Sequence, residues 1–173
     1  MVDSTDDRLR SVVDSTGREI EAAVAGSLYE IDDERVIIHD VEVWKREKWE
    51  AAREKYLGGH PDLAELAEKD PDGFDEMVED EIGTPDDVDD PEPVSLGDLL
   101  SDDSLGDLRF EVSSRRELLG GKTLVAFGGP NVWVSDDCVR GYWGFDEKAY
   151  NFDDRTRNEL WEWFKEQYEM AFA

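Results

Sequence analysis

Residues 118–144, LLGGKTLVAFGGPNVWVSDDCVRGYWG, form the longest apolar β-forming run in the chain. β-Branched and aromatic side chains lie on either side of Gly128-Gly129-Pro130-Asn131, and Asp136-Asp137 separates two further short runs. Such runs pair as antiparallel strands when two-residue or glycine-bearing turns join them. Within 131–135, Val132 and Val134 fall on one side, and Asn131, Trp133 and Ser135 on the other. At the Gly128-Gly129-Pro130-Asn131 turn, glycine supplies positive φ and Pro130 fixes the exit. The pattern predicts strands near 108–113, 118–127, 131–135 and 139–144. From Asp153, a helix cap, Leu160, Trp161, Phe164, Tyr168 and Phe172 make a wide apolar stripe. That helix is expected to cover one face of the sheet, which alone would leave both faces wet.

The chain upstream reads differently. Ser4 or Thr5 can cap a helix carrying Leu9, Val12, Val13, Ile20, Ala23 and Val24. Gly17 weakens its middle and Gly26 stops it. Residues 28–43 read as a hairpin, strands 28–31 and 35–43, turning at Asp32-Asp33. A helix follows from Trp44 to Gly58-Gly59. Pro61 opens another over 61–69, ended by Pro71, and Asp72 caps a third over 73–82 with Phe74, Met77, Val78 and Ile82 inward. Three prolines and five acids in 85–93 mark a linker. Ser95 caps a short helix to Leu100, and a turn is expected around Gly106. The expected fold is α+β. A mostly helical acidic unit (1–84) and a linker (85–93) precede a module (94–173) built on an antiparallel sheet of about four strands with a C-terminal helix packed on it.

Charge narrows the function classes. The 173 residues carry 46 acids and 19 bases, a net of −27. Residues 60–107 alone hold 19 acids and one base, Lys69, so two-thirds of the excess lies there. A polyanion repels nucleic acid and anionic membrane and favours cationic partners. Two readings fit. A carboxylate surface can keep a protein hydrated in high salt, or it can stand where a partner expects phosphates. An even coat suits the first reading and a concentrated segment the second. A single cysteine excludes an internal disulfide, and no apolar run reaches membrane-spanning length. The acidic N-terminus is unlike a signal peptide, so the expected location is the cytoplasm.

No motif carries catalysis. Gly120-Gly121-Lys122-Thr123 resembles the end of a phosphate-binding loop, but Arg116 stands where the first glycine belongs and a strand-like segment follows, so a hairpin turn is expected there instead. Cys138 follows Asp136 and Asp137, which oppose a thiolate. His39 and His60 have no zinc spacing, and 86–92 lacks the calcium-loop pattern. Carboxylate pairs are too abundant to mark acid–base work. The chain is therefore read as non-enzymatic, with no cofactor and no metal site. Trp133 and Trp143 have different strand neighbours, so at least one is expected to be exposed.

The run Gly128-Gly129-Pro130-Asn131-Val132-Trp133-Val134, then Val139-Arg140-Gly141-Tyr142-Trp143-Gly144 and an acidic-aromatic closing helix, resembles a group of small phage- and provirus-encoded proteins. The resemblance covers about residues 94–172. The opening Ser95-Leu96-Gly97-Asp98-Leu99-Leu100 and the strand Leu108-Arg109-Phe110 are similar too. It implies a mobile-genetic-element context and transfers no catalytic residue.

The expected function is an acidic interaction protein of viral or proviral origin. It would inhibit a host nucleic-acid-binding defence factor by nucleic-acid mimicry. Asp72, Asp75, Glu76, Glu79, Asp80, Glu81, Asp86, Asp87, Asp89 and Asp90 would meet a basic protein surface, with no direct nucleic-acid or membrane binding. The alternative is a halophilic virus structural or assembly protein, placed in the virion, whose acids serve solvation only.

Overall fold

A computed structural model describes residues 4–60, 63, 70–101, 107–126 and 129–172. The described elements are α1 (Thr5–Ala25), β1 (Leu28–Ile31), β2 (Glu34–Ile37), α2 (Val41–Gly59), α3 (Pro71–Ile82), a 3-10 turn (Pro85–Asp87), β3 (Glu92–Pro93), α4 (Leu96–Leu100), β4 (Leu108–Val112), β5 (Leu118–Ala126), β6 (Asn131–Ser135), β7 (Cys138–Trp143), β8 (Asp146–Asn151) and α5 (Asp154–Phe172). The fold is α+β. The expected helix 61–69, the turn at Gly106 and Gly128 lie outside the described residues, as does the side chain of Asp72.

The chain groups into two compact units, Met1–Leu28 with Pro93–Ala173, and Tyr29–Glu92. This differs from a division of 1–84 against 94–173. The reason is α1, whose apolar stripe is buried against the sheet formed more than a hundred residues later.

In the first unit the sheet is an antiparallel meander of five strands in the order β4-β5-β6-β7-β8. The expectation was about four. The added strand, β8, is polar, with half-buried Lys148 and Tyr150 between exposed residues, so it carries little hydrophobic signal. Val132, Val134 and Val139 are fully buried on the inner face. α1 packs there against β7 and β8, and α5 against β5. Leu9, Val13 and Ile20 from α1 and Leu160 and Phe164 from α5 complete the core.

Local chemistry sets the helix ends. Ser4 Oγ accepts from the Asp7 amide at 3.2 Å. Gly26, at φ 71°, closes α1 in a Schellman motif, with the Ser27 amide bonded to the Ala22 carbonyl at 2.8 Å. Ser95 and Asp98 form a reciprocal capping box on α4. The Thr156 amide donates to Asp153 Oδ1 at 2.7 Å, which opens α5. Gly129 has φ 141°, as the predicted reversal requires. Phe172, the last member of the α5 stripe, is 69% exposed but still meets the rings of Phe110 and Tyr168.

In the second unit β1 and β2 form the expected hairpin, with Asp32 and Asp33 both at positive φ (52° and 64°). β2 stops at Ile37, not 43, because Asp40 accepts from the Val43 amide at 3.1 Å and starts α2 at Val41. The β-branched run therefore yields to a helix cap. Likewise Asp70 caps α3, whose first residue is Pro71. Pro71 thus opens this helix, because its missing N–H costs nothing in the first turn. Phe74 and Val78 are buried. Trp49 donates its indole N–H to the Gly83 carbonyl at 2.7 Å.

Candidate functional site

Two surfaces merit a functional reading, one in each unit. The first is the acidic one. α3 turns Phe74 and Val78 inward, which places Asp75, Glu76, Glu79, Asp80 and Glu81 outward, all exposed. Asp75–Glu79 and Glu76–Asp80 are like-charge pairs one helical turn apart, spaced about 6 Å along the axis. Asp86, Asp87, Asp89 and Asp90 follow on the 3-10 turn and its exit, also exposed.

These carboxylates are not equivalent. Asp87 accepts from the Thr84 amide and hydroxyl, both at 2.7 Å. The amide bond and then the hydroxyl hold its carboxyl below the usual range. Asp90 lies 2.8 Å from Lys45 Nζ, and that hydrogen bond raises the lysine's pKa. Asp75 lies 3.6 Å from Arg53. Glu76, Glu79, Asp80, Glu81, Asp86 and Asp89 have no ion-pair partner among the described residues. The sequence pointed to ten acids. The structure leaves these six as unpaired charge, gives Asp75, Asp87 and Asp90 local partners, and leaves Asp72 outside the described side chains.

The second surface is the outer face of the five-stranded sheet, opposite α1 and α5. Strand register brings its residues together. Arg109 faces Lys122, Lys122 faces Ser135, and Trp133 faces Arg140. A hollow of about 650 Å³ lies here and reaches the first turn of α5; its lining includes Arg109, Lys122, Trp133, Arg140 and Tyr142 from the sheet and Arg157 from the helix. The Arg109 guanidinium sits 4.6 Å and Lys122 Nζ 5.6 Å from the Trp133 ring centroid. Arg109 is bonded through two nitrogens to Asp107. That hydrogen bond, followed by the charges of Arg109 and Lys122, holds the Asp107 carboxyl below its usual range against a rise from desolvation. Arg140 reaches Glu147 at 3.3 Å.

Sequence reasoning assigned Trp133 to this side of the sheet but passed over the bases that share it. Arg109, Lys122 and Arg140 have the same strand parity as Trp133 once register is known, and only register places them on neighbouring strands. Gly-Lys-Thr lies inside β5, so it forms neither a phosphate loop nor the expected hairpin turn. Trp133 and Trp143 are each half-buried, Trp143 against the core.

Cys138 is 1% exposed. The sequence suggested only acidic neighbours for it, yet Arg140 Nε stands 3.3 Å from its Sγ. His60 Nδ1 lies 2.9 Å from the Tyr56 carbonyl oxygen, a helix-end contact. Among the described residues no group of three His, Cys, Asp or Glu side chains is placed to hold a metal, and no helix is long and apolar enough to cross a membrane. No protein-family model matches the chain, and no curated protein or solved structure shows significant similarity to it.

Proposed function

We propose that this protein is a non-enzymatic interaction protein of viral or proviral origin, which engages a basic protein surface with the acids of its second unit. It would act inside the host cell and occupy the site where a nucleic-acid-handling defence factor binds phosphates. The observation that carries the reading is the row of exposed carboxylates on α3 that have no ion-pair partner among the described residues: Glu76, Glu79, Asp80 and Glu81. Like charges one turn apart weaken an isolated helix, so their retention calls for a use or a solvent that screens them. The resemblance of residues 94–172 to phage and provirus proteins supplies the context.

The test compares wild type with a Glu76→Gln, Glu79→Gln, Asp80→Asn, Glu81→Gln variant. A partner captured from host lysate by the wild type is expected to be lost by the variant, to be released steeply by salt and to be displaced by DNA. Capture that persists in the variant with unchanged salt dependence would refute mimicry.

One observation favours a second reading, a halophilic structural or assembly protein. Glu159, Glu166 and Glu169 on α5 are exposed as well, so carboxylates also coat the first unit. That reading predicts folding only in molar salt, which circular dichroism across a salt titration decides.

A further inference from the structure

The outer sheet face poses a problem of charge. Acids outnumber bases 46 to 19 in the chain, yet Arg109, Lys122 and Arg140 occupy adjacent strands on one face around Trp133. Arg109 and Lys122 are direct cross-strand partners, and like charges so placed destabilise a sheet. Asp107 and Glu147 answer the two arginines from the margins. Lys122 has no carboxylate at ion-pair distance among the described residues; it stands over the indole ring and interacts with the Asp107 charge from further off. An anion with several oxygens can accept hydrogen bonds from a lysine and two arginines together.

Beside the cations the floor drops, because β5 offers Gly120 where a side chain would otherwise rise into the hollow. Glu111, the cross-strand partner of Gly120, and Asp136 border that depression. Carboxylates accept hydrogen bonds and donate none, so this end suits hydroxyl groups. At about 650 Å³ the hollow lies in the range of small-molecule sites. The chain's net charge of −27 disfavours a long polyanion, whose binding depends on the field of the whole surface. A small ligand depends mainly on the groups it touches.

We propose that this hollow binds a phosphate monoester carried on a hydroxylated skeleton, its phosphate held by Arg109, Lys122 and Arg140 and its hydroxyls by Glu111 and Asp136. Trp133 positions two of the cations and reports the ligand. Nucleotides and sugar phosphates share this chemistry.

Isothermal titration of the full chain with AMP, ribose 5-phosphate, adenosine and inorganic phosphate tests the site. At least one organic phosphate is expected to bind at submillimolar concentration. Inorganic phosphate should bind at least about tenfold more weakly, and adenosine should give no heat. Tighter binding of AMP identifies a nucleotide; equal or tighter binding of ribose 5-phosphate identifies a sugar phosphate. Lys122→Met should weaken binding at least about tenfold. Gly120→Val should abolish it. A Cβ at Gly120 would meet Asp136 at an ordinary 3.5 Å, so that variant fills the hollow without a backbone clash. Trp133→Phe should remove the ligand-induced fluorescence change. The proposal is overturned if neither organic phosphate binds up to about 5 mM, or if inorganic phosphate or adenosine binds as tightly as the better of the two organic phosphates. It is also overturned if Lys122→Met, folded by circular dichroism, binds as wild type does, or if a single-stranded oligothymidylate binds more tightly than the better organic phosphate.

Discussion

The ring of Tyr150 occupies the space that a β-carbon on Gly17 would fill. Gly17 is buried in the middle of α1, and Tyr150 projects from β8 onto the same helix. The tyrosine hydroxyl donates to Glu21 Oε2 at 2.7 Å, one turn further along α1. The glycine that weakens the helix by propensity thus lets helix and sheet approach. Two more glycines act alike: Gly121 makes room for the Phe164 ring of α5, and Gly141 for Leu9 and Val13 of α1.

Gly17→Ala separates propensity from packing. In an open helix this change would stabilise by about 1 kcal/mol. Here the new methyl group meets ring carbons, and overpacking of this kind costs about 1–3 kcal/mol. Packing wins, so the expected result is a net loss of stability and a melting midpoint several degrees lower. A rise in midpoint would show that Tyr150 moves aside freely.

The Tyr150–Glu21 bond makes stability depend on alkaline pH. The hydrogen bond to the Glu21 carboxylate, then burial, then the Glu21 charge push the Tyr150 phenol up to about 12. An unfolded tyrosine titrates near about 10. The folded state therefore holds this proton more tightly. Its contribution is complete below about pH 10 and is lost as pH rises toward 12. Tyr150→Phe should cost about 1 kcal/mol at neutral pH. The gap between variant and wild type should close across that alkaline window, as thermal melts at stepped pH would show.

The capping box on α4 gives the acid counterpart. The Ser95 hydroxyl and then the Ser95 amide hold the Asp98 carboxyl below its usual value. A lowered folded pKa contributes stability above the unfolded value near about 4, and that contribution is lost as pH falls. Ser95→Ala should lower the melting midpoint by about 2–4 °C at neutral pH. Part of that loss should vanish in acid, where the wild-type box also opens.

Salt acts on the like-charge pairs of α3. Converting Glu76 and Glu79 to Gln removes one member of each pair. In dilute buffer this should raise the melting midpoint by about 1 °C per pair. At molar salt the gain should disappear, because the Debye length falls to about 3 Å. A gain independent of salt would assign the effect to helix propensity instead.

Much of the local structure was legible beforehand. Ser4, Ser95, Asp153 and Gly26 announced helix ends, and β-forming runs between turn residues, with alternation in β6, placed β5, β6 and β7 within a residue or two. Asp40 and Asp70 were harder. Each caps a helix whose first residues, Val41 and Pro71, argue for a strand or a break when read alone. β8 was not legible because its burial comes from α1, more than a hundred residues earlier in sequence, and not from its own composition.

The sequence by itself determined the α+β class, the strand runs, the helix caps and the concentration of acid in 60–107, since each depends on neighbours a few residues apart. Tertiary structure decided the rest. It joined α1 to the distant sheet, turned three glycines into contact points and brought Arg53 to Asp75 and Lys45 to Asp90. It also gathered Arg109, Lys122 and Arg140 around Trp133. The physical reason is register. Strand alternation tells which residues share a side, but only the pairing of β4 through β7 tells which of them touch.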